Sequence, residues 1–209
     1  MLHGGSGNEI RLITYTDYIS NTEILLDRFM IDSAGNFSLH TQLTETISVV
    51  LDLDYYSTTF YLEPGKNYLL EFDTIFTADQ YRPFYEKEPL VFRIISEESE
   101  ELNRLIFDFS DRYYNFLLEN FQSLYNRRDK SLIDTFKSEI EQQFSGIQNN
   151  YFKSFIEYKI ATIELSVTGT IKPKLFRKYI QGKPILYSHP AYMEFFNQFF
   201  DHYLTAGNK

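Results

Sequence analysis

Apolar and polar positions alternate in short runs through the first half of the chain. Ile10/Leu12, Phe37/Leu39 and Val49/Leu51/Leu53 are the clearest cases. A period of two turns one face of a strand inward. Seven strands follow from it, over 9–15, 22–31, 36–42, 47–52, 58–62, 68–73 and 90–95. The segments between carry turn chemistry. Asp32-Ser33-Ala34-Gly35-Asn36 combines a glycine for positive φ with side chains that bond their own backbone, and predicts a hairpin. Glu63-Pro64-Gly65-Lys66 has proline and glycine at the second and third positions of a type II turn. Residues 74–89, with two prolines and four aromatic residues, read as a loop crossing to the last strand. Seven short strands at close spacing predict an antiparallel β-sandwich.

Beyond residue 96 the period becomes helical. Ser96 is the predicted N-cap, with Glu97, Glu98, Glu100 and Glu101 where the helix dipole favours negative charge. Leu102, Leu105, Ile106, Phe109, Tyr113, Phe116, Leu117, Phe121 and Leu124 then recur at i, i+3, i+4 spacing, predicting one helix to about Arg127. Asp129 caps a second helix carrying Ile133, Phe136, Ile140 and Phe144. Gly146 interrupts, and a third helix carries Phe152, Phe155, Ile156, Ile160 and Ile163. A short helix over 173–179 begins with the proline that a first turn tolerates. Gly182, Pro184 and Pro190 punctuate the next stretch, and a last helix covers 191–204. The expected fold class is therefore α+β: a β-sandwich domain over 1–96 and a helical domain of four to five helices over 97–209.

Charge divides at the same place. Residues 1–96 carry a net −8 and residues 97–209 a net −1, within a total of −9 over 209 residues. An acidic balance argues against a nucleic-acid binder, because phosphate contacts need clustered cations. The absence of cysteine excludes disulfides, thiol redox chemistry and cysteine-ligated metals from this chain. No run of 18 apolar residues is present, so no transmembrane helix is expected. The glycine-rich start, Met1 to Gly7, lacks the basic and apolar regions of a signal peptide. It reads as a cloning scar or the remnant of a processed N-terminus.

The candidate chemistry is thin. The four histidines, at 3, 40, 189 and 202, show no metal-binding spacing. Asp52, Asp54 and Glu63 have the oxygen chemistry of a calcium site, but a solvated strand edge explains them better. No nucleophile elbow, phosphate loop or dinucleotide fingerprint occurs. No cofactor and no catalytic residue is therefore assigned. The run 172–183 holds five cations and no acid, with Phe176 and Tyr179 interleaved. Lys172, Lys174, Arg177 and Lys178 are candidate surface contacts, weighed against a solvated helix face. Aromatic residues are abundant, with 20 Phe and 17 Tyr but no Trp. Pairs such as Tyr113-Tyr114 exceed what one buried face needs. Tyr55, Tyr56, Tyr81 and Tyr85 are candidates for stacking on a sugar or forming a protein interface. Without tryptophan, a protein partner ranks above a glycan, and a Tyr/Phe-rich core ranks above both.

Ile31-Asp-Ser-Ala-Gly-Asn-Phe-Ser38, followed by Phe60-Tyr-Leu-Glu-Pro-Gly-Lys-Asn-Tyr68, resembles the N-terminal β-sandwich of secreted Bacteroidetes proteins. There a "d-x-x-G-x-F" hairpin precedes an "l-x-P-G-x-x-y" turn. Phe176 to Ile185 and Tyr187 to Phe200 resemble the helical region after that sandwich, and in longer relatives a TlpA-like thioredoxin domain with a Cys-x-x-Cys pair follows. The resemblance implies a periplasmic or outer-membrane-anchored location. It carries over no redox residue, because this chain has no cysteine. The expected function is a non-catalytic cell-envelope binding or assembly module. Its partner is another protein or a missing C-terminal domain. The alternatives are the accessory region of a thiol–disulfide oxidoreductase whose thioredoxin domain lies outside this chain, and a glycan-binding module.

Overall fold

The computed structural model describes residues 5–53, 55–73, 87–95, 100–168 and 172–205. The chain divides into two compact units, Met1–Ser99 and Glu100–Lys209. Strands build the first and helices the second, which makes the protein α+β.

In the first unit β1 (Glu9–Tyr15), β2 (Glu23–Met30), β3 (Ile47–Leu53), β4 (Tyr56–Leu62) and β6 (Glu88–Pro89) form one sheet in the order β2-β1-β3-β4-β6. Strands β5 (Leu69–Phe72) and β7 (Phe92–Ile95) pair as a second sheet. Register follows the alternation: Leu12 lies opposite Leu51, and Val49 opposite Phe60, so large apolar side chains share a face. Ile10, Leu12, Val49, Leu51, Leu53 and Phe60 are buried in one cluster with Phe72 of β5. Phe92 of β7 packs against that cluster, with ring centroids 5.8 Å from Phe60 and from Phe72.

Three expectations for this unit need correction. Residues 36–42 are not a strand. Phe37 and Leu39 still pack on the core, but the Asp27 carboxylate accepts the His40 N–H at 2.6 Å, a side-chain bond where a ladder bond was expected. The Asp32–Asn36 turn forms as read, with Gly35 at φ 81° and Asp32 Oδ1 accepting from the N–H groups of Ala34 and Asn36. It ends β2 without opening a paired strand. Finally, β6 falls inside the expected loop and pairs parallel to β4, Tyr56 beside Glu88. Pro89 is tolerated there because an edge strand needs no further ladder N–H.

The helical unit comprises α1 (Leu102–Phe121), α2 (Ser131–Gln143), α3 (Asn150–Thr168), α4 (Lys172–Tyr179) and α5 (Pro190–Thr205), with a π-helical turn over Gln122–Asn126 extending α1. The N-cap of α1 is Glu101, not Ser96, which lies outside the described residues. Glu101 accepts from the N–H groups of Asn103 and Arg104 at 3.1 and 2.9 Å, satisfying two of the first-turn donors. The N-cap of α2 is Lys130, one residue beyond the expected Asp129, whose carboxylate still accepts from the Ser131 N–H at 3.0 Å. Helix α3 is buried or half-buried at nearly every position from Tyr151 to Val167 and touches each of the other four helices. That is the pattern of a helix at the centre of its unit. Phe109 of α1, Phe152 of α3 and Phe195 of α5 are fully buried about it.

Candidate functional site

The sequence-derived residues do not converge. Tyr55 is exposed, whereas Tyr56 is half-buried against the β-unit core, so the adjacent pair offers no shared stacking face. Tyr81 and Tyr85 lie outside the described residues. Lys172 begins α4, and Lys174 and Arg177 are exposed on it. The Arg177 Nε donates to its own helix at the Pro173 carbonyl. Lys178 is engaged instead: it pairs with Glu164 at 2.8 Å and lies over the Tyr179 ring at 4.6 Å. Lys183 pairs with Glu157 at 2.5 Å. Acids of α3 thus neutralise part of the basic run, and among the described side chains the free cationic face narrows to Lys174 and Arg177.

Asp52, one of the carboxylates considered for calcium, holds two cations. It is 3% exposed on β3, opposite Arg11 of β1, and accepts hydrogen bonds from Arg11 and Lys87. The hydrogen bond to Asp52 raises the Arg11 guanidinium above its ordinary value. Those bonds occupy the oxygens that a cation would need, and Asp54 lies outside the described residues. Among the described residues no group of three His, Asp or Glu is placed to hold a metal. A cavity of about 570 Å³ opens beside the same core, floored by Leu12, Leu51 and Phe60 and rimmed by Asn36, His40 and Asn67.

His189 is a structural group that spacing did not reveal. It is 4% exposed and lies against the Tyr151 ring, with centroids 4.2 Å apart and planes tilted by 30°. Its Nδ1 accepts from the Tyr192 N–H at 3.4 Å, capping α5, while Nε2 faces the Tyr151 carbonyl at 3.3 Å. This pattern fits the neutral ring with its proton on Nε2. Burial pushes the imidazole below its usual value.

The most distinctive surface lies on α1. The face carrying Leu102, Leu105, Ile106, Phe109 and Tyr113 is buried, as the period requires. Phe107, Tyr114, Leu118 and Phe121 are 73%, 57%, 77% and 57% exposed. At 100° per residue they form a second stripe, on the side of the helix away from the first. Phe121 thereby leaves the core face to which its spacing assigned it. The steps of seven, four and three residues that join the stripe are themselves a sequence signal, hidden beneath the stronger core run. Beside the stripe, α1 and α2 enclose a groove of about 630 Å³. Phe116 and Phe136 stack at 4.2 Å in its wall, next to Leu132 and Ile140. Its rim carries Asp108, Asp111, Glu119 and Glu139 against Arg112. Asp108, Asp111 and Glu119 sit on the part of α1 between the groove and the stripe.

Among the described residues no helix is long and apolar enough to cross a membrane. No family model, curated protein or solved structure matches the chain. The resemblance to TlpA-like envelope proteins therefore stands on its turn and packing motifs alone.

Proposed function

We propose that the protein is a binding or assembly module that engages another protein through the outward stripe of α1. The carrying observation is four large apolar side chains in line on a helix whose opposite face is already buried. A helix with two apolar faces ordinarily lies between two layers, and contiguous exposed apolar surface marks an interaction site. The envelope location belongs to the same proposal and rests on the resemblance. The β-sandwich is part of the proposal too; it rests on the close spacing of the short strands and is supported by the entry of Phe60 from one sheet and Phe72 and Phe92 from the other into one cluster.

The absence of cysteine makes the test direct. A Leu118→Cys chain carrying a photoactivatable thiol label is introduced into its own cells and irradiated. The expected result is one discrete adduct, absent when the label sits at Tyr187, another exposed apolar residue of the same unit. Equal labelling from both positions, or no adduct from Leu118, overturns the reading.

A further inference from the structure

We infer that the segment docking on α1 is a basic amphipathic helix, its apolar side laid along Phe107, Tyr114, Leu118 and Phe121 and its Lys/Arg edge over the acidic rim of the α1–α2 groove. The inference rests on the reading of the stripe as a docking surface and adds the chemistry of the partner.

Spacing sets the shape of the occupant. Phe107, Tyr114 and Phe121 recur at seven residues with Leu118 between them, the repeat that a second helix matches along its length. Charge sets its composition. Asp108, Asp111 and Glu119 flank the stripe on one side only, and Glu139 of α2 faces them across the groove. None of the four is ion-paired among the described residues, although Asp111 accepts a hydrogen bond from Asn115 at 3.2 Å. Among the described residues that line the groove Arg112 is the cation, and Arg104 falls on the same flank of α1 one turn before Asp108, so the edge remains net acidic. A ligand covering the stripe also dries this edge, and desolvated carboxylates without partners are costly. An occupant with cations in register removes that cost, and an acidic one increases it.

The same reasoning rejects a second copy. Two α1 helices paired antiparallel about a two-fold axis bring identical edges together, so the acids of one helix would face those of the other. An anionic membrane surface is rejected on the same ground.

The test exploits the absence of tryptophan, which lets a single tryptophan in a peptide report its own burial without background. An 18-residue Leu/Lys amphipathic helix with one tryptophan on its apolar side is titrated with the full chain, beside the same peptide with every Lys replaced by Glu. The expected result is micromolar binding of the Lys peptide with a blue-shifted emission, weakened by salt, and no binding of the Glu peptide. Leu118→Asp weakens binding about thirtyfold, the size of losing a central apolar anchor. The pair Glu119→Lys and Glu139→Lys together abolishes the preference for Lys and leaves the fold intact by circular dichroism.

Equal binding of the two peptides, both lost in Leu118→Asp, overturns the charge assignment and leaves the docking surface standing. A concentration-dependent dimer in sedimentation that Leu118→Asp dissolves does the same in favour of a second copy. Lys-peptide binding that Leu118→Asp leaves unchanged overturns the docking surface as well.

Discussion

Lowering the pH from 7.5 to 5.5 destabilises the helical unit through His189. Both ring nitrogens are committed in the folded state, and burial holds the ring neutral below its ordinary value. A second proton lands on Nδ1, where the Tyr192 N–H is accepted, and so removes the cap of α5 while charging a ring that is 4% exposed. The sign follows from linkage. The unfolded chain takes up this proton near pH 6.5 and the folded chain only at lower pH, so the stabilisation is complete above 6.5 and declines below it. The decline approaches about 1.4 kcal/mol per pH unit and levels off once the folded ring also protonates. One unit below 6.5 the loss is at most about 1.4 kcal/mol.

Shifted carboxylates do not obscure this window. Asp17 is held down to about 2 by N–H bonds from Ser20 and Ile19, and hydrogen bonds to backbone N–H groups or to Ser131 also lower Asp27, Asp32 and Asp129. Their contributions are lost below the ordinary carboxylate range of about 3.9, well under pH 5.5. Urea unfolding followed by helical circular dichroism at pH 7.5, 6.5 and 5.5 reads the effect. His189→Asn is the comparison, since asparagine accepts at an N-cap and does not titrate. Without the ring packing, the variant is about 1–3 kcal/mol less stable at pH 7.5. Its pH slope between 6.5 and 5.5 is flatter than that of the parent. A parent midpoint that does not move across this range, or a variant that loses as much as the parent, refutes the reasoning.

Phe152→Ala removes a fully buried ring that packs edge-on against Phe144 at 5.0 Å. It should cost about 3–5 kcal/mol in urea unfolding. Asp52→Ala strips the shared acceptor from Arg11 and Lys87. Both cations are more than a third exposed, so water screens them and the loss in thermal unfolding is about 1–3 kcal/mol, partly restored by Asp52→Asn. Leu118→Asp should leave unfolding free energy within about 0.5 kcal/mol of the parent, because the side chain is mostly in water. A larger loss there would mean that the stripe supports the fold.

Legibility in the sequence tracked how local the cause of each element was. Strands β1, β3 and β4 and all five helices carry their period within their own residues. The turns at Asp32 and Glu63 carry their own glycine: Gly65 sits at φ 71°, and the Lys66 N–H closes on the Glu63 carbonyl at 3.3 Å. Where a partner from elsewhere decides the outcome, pattern reading failed. Phe37 and Leu39 alternate as a strand would, yet only their side chains are used. Glu88–Pro89 reads as a breaker, and β4 alone makes it a strand. Glutamate is an uncommon N-cap, and Ser96 upstream has the commoner capping chemistry, so the residue types alone point away from Glu101. His189 is legible only as an isolated histidine, because Tyr151, whose ring and carbonyl it faces, comes from α3 and lies 38 residues away in the chain.

Charge was the least legible property of the candidate surface, for a physical reason. The run from Lys172 to Lys183 looks cationic in sequence because its neutralising partners, Glu157 and Glu164, belong to the preceding helix. The acids of α1 look unremarkable because helix-forming sequences scatter them widely. Folding changes both impressions. Lys178 and Lys183 acquire partners within the unit, while Asp108, Asp111 and Glu119 gather along one edge of an exposed apolar stripe and meet Glu139 across a groove. Unpaired acids beside water cost little, so the isolated protein tolerates them. Their cost arises only when something covers the stripe, and the sign of that cost selects the partner. Affinity would come from the apolar line and specificity from the edge, the division in which complementary charge screens out wrong partners more than it adds binding energy.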